Sequence, residues 1–402
     1  MNPIVAFVIV MAVWTVSDFV AKKTKSLLSS LFVASIIFLV GFLTDVFPHD
    51  LLAASSLLAL AGVVVGFIIV HLGTMISLDD FIKQWRTFLI GVATVLGIGV
   101  MLYVASLVFG QSISGAAEDG YASALDFVVA GTGALSGGTI SVLLVQEAAL
   151  GVGLTSIAIF PVLIAALQGL IGFPLTSIIL RREAARLKSE YRAGNLEATE
   201  KAEAEAATHD SRLPDAFRGT AGTLFVVGIA VLVALGINNL TNGILNTFVV
   251  ALILGIALRT TGIFKPSVLA GIDSLGLMMI AIMILVFGPL ATVLPSDVKA
   301  LAGPLVLAFV FGILGIGLFA GLVGKLLGYS VPMSVAIGLT SLYGFPGTMI
   351  LSQEAARGAG ESPEEVAAIE HQILPKMIVA GFSTVTITSV VITSIIVGRI
   401  GG

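Results

Sequence analysis

The chain has 402 residues, of which 57% are AVILMFWYC and 11% are charged, and its net charge is −4. About a quarter of an ordinary soluble protein is charged, so a mean hydropathy of +1.10 is more than a hydrophobic core absorbs. The charge balance excludes a nucleic-acid-binding chain, which needs a basic face. The lack of cysteine excludes disulfides, thiolate metal sites and a cysteine nucleophile. The composition is that of an all-α polytopic membrane protein in contact with lipid.

Apolar runs fall at about 4–20, 27–47, 51–77, 87–109, 122–148 and 154–180. After a charged stretch they resume at 220–237, 242–258, 267–293, 300–323, 330–352 and 373–397. Most reach the roughly 18 residues that cross a bilayer as helix. The first run has no basic segment before it and no small-residue cleavage site after it, so it reads as a retained span. Of 44 charges, 16 lie in 181–218, eight of each sign. That segment reads as a solvated, helical connector rather than a regulatory element.

Cytoplasmic loops carry the excess of Lys and Arg. Basic clusters follow the first, third and sixth runs: Lys22, Lys23 and Lys25; Lys83 and Arg86; and Arg181, Arg182, Arg186 and Lys188. If all six runs crossed, the last cluster would lie opposite the other two. The conflict disappears if 122–148, broken by Gly-Thr-Gly-Ala-Leu-Ser-Gly-Gly-Thr at 131–139, enters and leaves on one side. The second half behaves alike, with Arg218, Arg259, Lys265 and Lys325 inside if 330–352, broken at 343–348, also returns. The expected architecture is two inverted-topology repeats of five spans, 1–180 and 220–402. Each has a re-entrant helical hairpin, at about 122–148 and about 330–352. The linker 181–219 is cytoplasmic, the loop 110–121 and both termini are outside, and the membrane is the plasma (inner) membrane.

The two halves also match residue by residue. A shift of 207 lays Leu135, Gly137, Leu144, Gln146, Glu147, Ala148, Ala149, Gly151 and Gly153 on Leu342, Gly344, Leu351, Gln353, Glu354, Ala355, Ala356, Gly358 and Gly360. Ser141 falls on Thr348, and Pro161 on Pro375 after an insertion. Gly41 on Gly255 and Gly73 on Gly288 are weaker matches. An odd number of spans per repeat turns the second copy upside down, the architecture of many secondary transporters.

Broken helices at membrane depth are tolerated only inside protein or along a watery cavity. Their free helix ends suit anions, and their carbonyls and hydroxyls suit a hard cation such as Na⁺. The substrate-binding candidates are Thr132, Gly133, Ser136, Gly137, Gly138 and Thr139 from the first hairpin, with Tyr343, Gly344, Pro346, Gly347 and Thr348 from the second. Ser136, Thr139, Ser141, Thr348 and Asp273 are candidates for ion coupling, with Na⁺ at the hairpin tips and no other cofactor. The competing reading of these glycines is tight helix packing, which two matched and hydroxyl-lined breaks disfavour. His71 and Asp273 are ionisable residues inside apolar runs and so candidates by default, though both stand within reach of the inner interface. Glu147, Glu354 and Asp126 read as fixing hairpin ends. Glu361, Glu364, Glu365 and Glu370 read as a solvated acidic loop.

In its inverted halves and in Ser136-Gly-Gly-Thr139, Gly344-Phe-Pro-Gly-Thr348 and Asp273-Ser-Leu-Gly-Leu-Met-Met, the chain resembles the sodium/glutamate symporter family and its 2-hydroxycarboxylate relatives. The resemblance implies an elevator: a hairpin-bearing domain moving against a fixed homodimer scaffold, coupled to Na⁺. The expected function is ion-coupled secondary transport, by Na⁺ symport, of a small organic anion or amino acid. The alternatives are a cation/proton antiporter, which wants carboxylates in the broken helices, and a channel-like protein. An intramembrane protease would need paired aspartates, a His-Glu-x-x-His, or a Gly-x-Ser with a deep histidine. None is present in the sequence, so no enzyme activity is expected.

Overall fold

The computed structural model describes residues 1–114, 123–195, 212–214, 217–241 and 245–401, and the regular elements among them are helical. In chain order they are α1 Pro3–Lys23, α2 Ser30–Leu43, α3 Leu51–Ala54, α4 Leu57–Met75, α5 Leu78–Lys83, α6 Trp85–Ser114, α7 Ala124–Leu135, α8 Thr139–Gly151 and α9 Thr155–Arg192. There follow α10 Thr220–Leu240, α11 Thr247–Thr260, α12 Leu275–Ile284, α13 Pro295–Ala300, α14 Ala302–Leu326, α15 Val331–Leu339, α16 Gly347–Ala359, α17 Pro363–Phe382 and α18 Ser389–Ile396. A 3-10 turn, Thr340–Leu342, continues α15, and a π-turn, Ser383–Thr388, joins α17 to α18.

Among the described residues, eight helical stretches are long and apolar enough to cross a bilayer. The chain therefore carries the helices of a polytopic membrane protein. Two of the ten expected spans are shorter than the composition suggests. Helices α2 and α11 have 14 residues each, about 21 Å of helix against a hydrocarbon core about 30 Å thick. Both stop for the same reason. Asp45 (φ 55°) and Gly262 (φ 74°) turn left-handed after the last helical turn. The N–H of Phe47 then returns to the Gly41 carbonyl at 2.9 Å, and that of Phe264 to Leu258 at 3.0 Å.

Helix boundaries recur along the chain. Helix α1 runs from 3 to 23 and α10 from 220 to 240, an offset of 217 at both ends. The same offset carries α2 (30–43) onto α11 (247–260) and α5 (78–83) onto α13 (295–300). At an offset of 207, α7 (124–135) covers α15 with its 3-10 turn (331–342), and their N-caps Ser123 and Ser330 correspond. Pairing Gly41 with Gly255 or Gly73 with Gly288 uses offsets of 214 and 215, which the helix ends do not follow. Under 217, Gly41 faces Leu258 in the alignment.

Contacts divide the chain into two compact units, each drawing on both halves. The first comprises Met1–Val8, Leu51–Trp85 and Glu190–Leu285. There α4 packs on α11 and α12, and the close crossing is at Gly73 and Gly255. A β-carbon on Gly73 would fall 2.3 Å from the Leu252 carbonyl oxygen. His71 is buried in this core, where its Nδ1 accepts the Leu269 N–H at 3.1 Å. One turn on, the Thr74 hydroxyl accepts the Val268 N–H at 3.0 Å. Together they fasten the irregular segment before α12.

The second unit comprises Ile9–Asp50, Arg86–Ser189 and Val286–Gly402 and contains both broken pairs, α7–α8 and α15–α16. Its apolar core joins α6, α7, α8, α9 and α14 through side chains such as Leu102, Phe127, Leu135, Phe160 and Leu305. Helices α6 and α14 cross where a β-carbon on Gly315 would lie 2.3 Å from the Gly97 carbonyl oxygen. This close packing is the van der Waals device that helices use in lipid, where burial of apolar surface gives little drive.

Candidate functional site

The two broken pairs have the same local design. Each first helix begins at a serine cap, Ser123 on the Asp126 N–H at 3.1 Å and Ser330 on the Met333 N–H at 3.1 Å. Each break then turns on a glycine with positive φ, Gly137 at 85° and Gly344 at 57°, a conformation that costs other residues about 1–2 kcal/mol. Each second helix starts at the break without a side-chain cap, α8 after Gly138 and α16 after Pro346. Helix N-termini carry N–H groups and partial positive charge, and here they begin beside the breaks.

The breaks meet. A β-carbon on Gly137 would lie 1.9 Å from the carbonyl oxygen of Ser341, in the turn just before the second break. Each break also seats on the closing helix of the opposite half. The Ser389 hydroxyl, at the start of α18, bonds both Ser136 (2.6 Å) and Ser141 (2.7 Å), and Gly138 abuts the Val385 carbonyl. In the crossed arrangement the Tyr343 hydroxyl donates to Thr176 of α9 at 3.0 Å, and its ring lies 5.3 Å from that of Phe173. Gly347 packs against both rings.

Around this meeting point lie buried hydroxyls with no hydrogen-bond partner among the described residues: Thr132, Ser341, Thr348, Thr384, Thr388 and Thr393. All six are 5% exposed or less. Thr132 stands beside Gly99 of α6, Thr384 beside Gly91 of α6, Thr393 beside Gly133, and Thr348 beside Gly381. A buried hydroxyl without a partner costs about 1–3 kcal/mol, and such groups call for an explanation where they gather. Two, Thr384 and Thr388, sit in the π-turn, a feature frequent at functional sites. None of the side chains named at the breaks is charged. The arrangement offers oxygen donors to a cation, and hydroxyls with helix N-termini to an anion.

The structure brings together Thr132, Gly133, Ser136, Gly137, Gly138, Ser141, Tyr343, Gly344, Gly347 and Thr348, with Pro346 buried at the second break. Thr139 is exposed at the start of α8. Asp273 is exposed and belongs to the first unit, whereas both breaks belong to the second. His71 also belongs to the first unit, where it serves as a hydrogen-bond acceptor. Glu147 is exposed, while Glu354 accepts the Ser30 N–H at 3.0 Å together with a short bond from the Ser30 hydroxyl. Asp126 is buried and accepts the Gly401 N–H at 2.8 Å.

Sequence reasoning passed over Thr176, Ser341 and the closing helix with Thr384, Thr388, Ser389 and Thr393. The signal was present. Hydroxyl residues occupy 383, 384, 386, 388, 389, 393 and 394 of a run otherwise rich in Val and Ile. The loop 110–121 and the centre of the charged linker lie largely outside the described residues. Comparison of the chain with protein-family models and with curated proteins finds no match.

Proposed function

We propose that the chain is an ion-coupled secondary transporter, a Na⁺ symporter of a small organic anion or amino acid. In this reading α7–α8 and α15–α16 are re-entrant hairpins of two inverted repeats, and the second unit is the body that carries substrate across the membrane as an elevator. The resemblance to the sodium/glutamate symporters and 2-hydroxycarboxylate transporters points the same way. The recurrence of helix ends at offsets of 217 and 207 supports the repeats.

The observation that carries the proposal is the meeting of the two helix breaks, Gly137 against the Ser341 carbonyl, among buried hydroxyls that lack partners among the described residues. Na⁺ takes hard oxygen ligands, and Ser341, Thr348, Thr384 and Thr388 supply oxygen without a titratable group. A bound cation would offset the charge of an anionic substrate, since no Lys or Arg is among the side chains met at the breaks. An antiporter exchanging protons would need a carboxylate there, and none of the side chains named at the breaks is one.

The test is uptake of labelled glutamate, and separately of labelled citrate, into proteoliposomes with and without an inward Na⁺ gradient. Binding of radioactive Na⁺ to the purified protein is measured alongside. Saturable Na⁺ binding that either anion tightens supports the reading, by linkage. Uptake that ignores Na⁺ and follows an imposed pH gradient overturns it.

A further inference from the structure

This inference rests on the reading of α7–α8 and α15–α16 as hairpins and concerns which of them moves. The start of the charged linker does not hang free as a bland connector, because α9 continues through it to Arg192. Two side chains on this extension, Glu183 and Lys188, engage the second hairpin and its surroundings, and a third, Arg186, steadies Glu183. Glu183, 2% exposed, accepts the Ser330 hydroxyl proton at 2.6 Å. Arg186 donates to the same carboxylate through Nε at 3.1 Å and Nη2 at 2.5 Å. Ser330 is itself the cap of α15, its oxygen accepting the Met333 N–H at 3.1 Å.

A continuous relay thus runs from the Met333 N–H through the Ser330 hydroxyl to the Glu183 carboxylate and the Arg186 guanidinium. Hydrogen bonds in such a chain polarise one another, and those to charged groups are the stronger kind. Five residues further along α9, about 7–8 Å of helix, Lys188 donates to Glu361 at 2.6 Å, in the turn between α16 and α17. One helix therefore holds both ends of the second hairpin. The return arm is held again where Glu354 takes the N–H and hydroxyl of Ser30 at the start of α2.

The first hairpin is tied at its tip, where Ser136 and Ser141 bond Ser389, but its base is held by less. Its base has the Asp126 carboxylate on the Gly401 N–H at 2.8 Å and an apolar approach of Val152 to Gly401. Among the described residues no ion pair reaches it, and Glu147, the counterpart of Glu354 under the 207 offset, is exposed.

We propose that the extension of α9 is a clasp and Glu183 a positioning residue that fixes the second hairpin, leaving the first as the moving gate over the site. Hydrogen–deuterium exchange on the purified full chain reads this directly, because amide protection reports local opening. The native protein should exchange α7–α8 faster than α15–α16. Glu183→Gln should speed exchange in α15–α16 about ten-fold or more, as expected when a charge-assisted hydrogen bond is weakened, and leave α7–α8 unchanged. Ser330→Ala should copy that effect and Ser330→Thr should not. Lys188→Ala, at a more exposed pair, should give a smaller rise confined to the same helices.

Equal protection of the two hairpins in the native protein would overturn the proposal. So would unchanged α15–α16 exchange in Glu183→Gln, or a rise spread evenly over the chain. The measurement uses no substrate, so failure of Na⁺-coupled uptake and failure of the clasp are separate results.

Discussion

The carbonyl oxygen of Ser341 occupies the space that a β-carbon on Gly137 would need, 1.9 Å from it. The two residues stand in opposite halves of the chain, and only a glycine lets their backbones approach so closely. Gly137 is also at φ 85°, so two independent constraints fall on one position. Replacing it with alanine should cost about 1–2 kcal/mol for the backbone alone and push the second break away besides. The expected outcome for Gly137→Ala is a lower melting temperature and, under the proposed function, loss of anion uptake. Gly276→Ala, at a position with open space and no positive φ, should keep both.

Ser389 holds two serines at once, Ser136 and Ser141. Ser389→Ala should lower stability by about 1–3 kcal/mol, because it leaves the buried Ser141 hydroxyl without its partner, while Ser136 keeps its bond to the Gly133 carbonyl. Further replacement of Ser136 by alanine should then cost less than it does in the native chain. A double-mutant cycle on unfolding in denaturant measures the difference, and a coupling of about 0.5 kcal/mol or more is expected for residues in one network. Additive losses would mean that the three hydroxyls do not act as a unit.

The sequence made the helix breaks legible because Gly-rich interruptions and Lys/Arg clusters are local signals. It misled where residue matching stood in for geometry. Gly41 matches Gly255 as a residue, yet the helix ends follow an offset of 217 set by Asp45, Gly262 and the paired Phe47 and Phe264. Ser389 escaped because it is 253 residues from Ser136, and nothing local says that a hydroxyl-rich closing helix will bridge the first break. Asp273 drew attention as an acid in an apolar run. The irregular segment 265–274, fastened by His71 and Thr74, places it before α12 rather than within a span.

His71 should behave as a structural acceptor. His71→Ala strands the Leu269 N–H and should destabilise the protein by about 1–3 kcal/mol, without altering any dependence of uptake on Na⁺. His71→Asn keeps an acceptor on a short side chain and should recover part of the loss. Thermal unfolding in NaCl and in choline chloride checks both statements. A His71 variant of native stability that no longer responds to Na⁺ would place this residue in the coupling machinery instead.

The charged linker should face the cytoplasm. Ala193 is exposed just beyond α9, and the chain has no cysteine of its own, so Ala193→Cys provides a unique thiol. It should react with an impermeant reagent in inverted vesicles or opened cells and stay unlabelled in intact cells. Labelling of intact cells would reverse the proposed orientation.

Thr348 separates a functional hydroxyl from a structural one most sharply. Its hydroxyl is fully buried with no hydrogen-bond partner among the described residues, so without a ligand it contributes a desolvation cost and no compensating bond. Thr348→Val keeps the shape and removes that cost, and the variant should be as stable as the native protein or more stable by about 1 kcal/mol. If the oxygen coordinates Na⁺, the gain has a counterpart. A ligand that binds the folded state raises its stability by RT ln(1 + [L]/Kd), so Na⁺ should raise the melting temperature of the native protein and do so much less for Thr348→Val. The same crossing of effects is expected for Thr388→Val, at the end of the π-turn, and not for Ser389→Ala, whose hydroxyl is already committed to two serines. A packing role for Thr348 would show the opposite pattern, with stability falling in the variant and the response to Na⁺ unchanged.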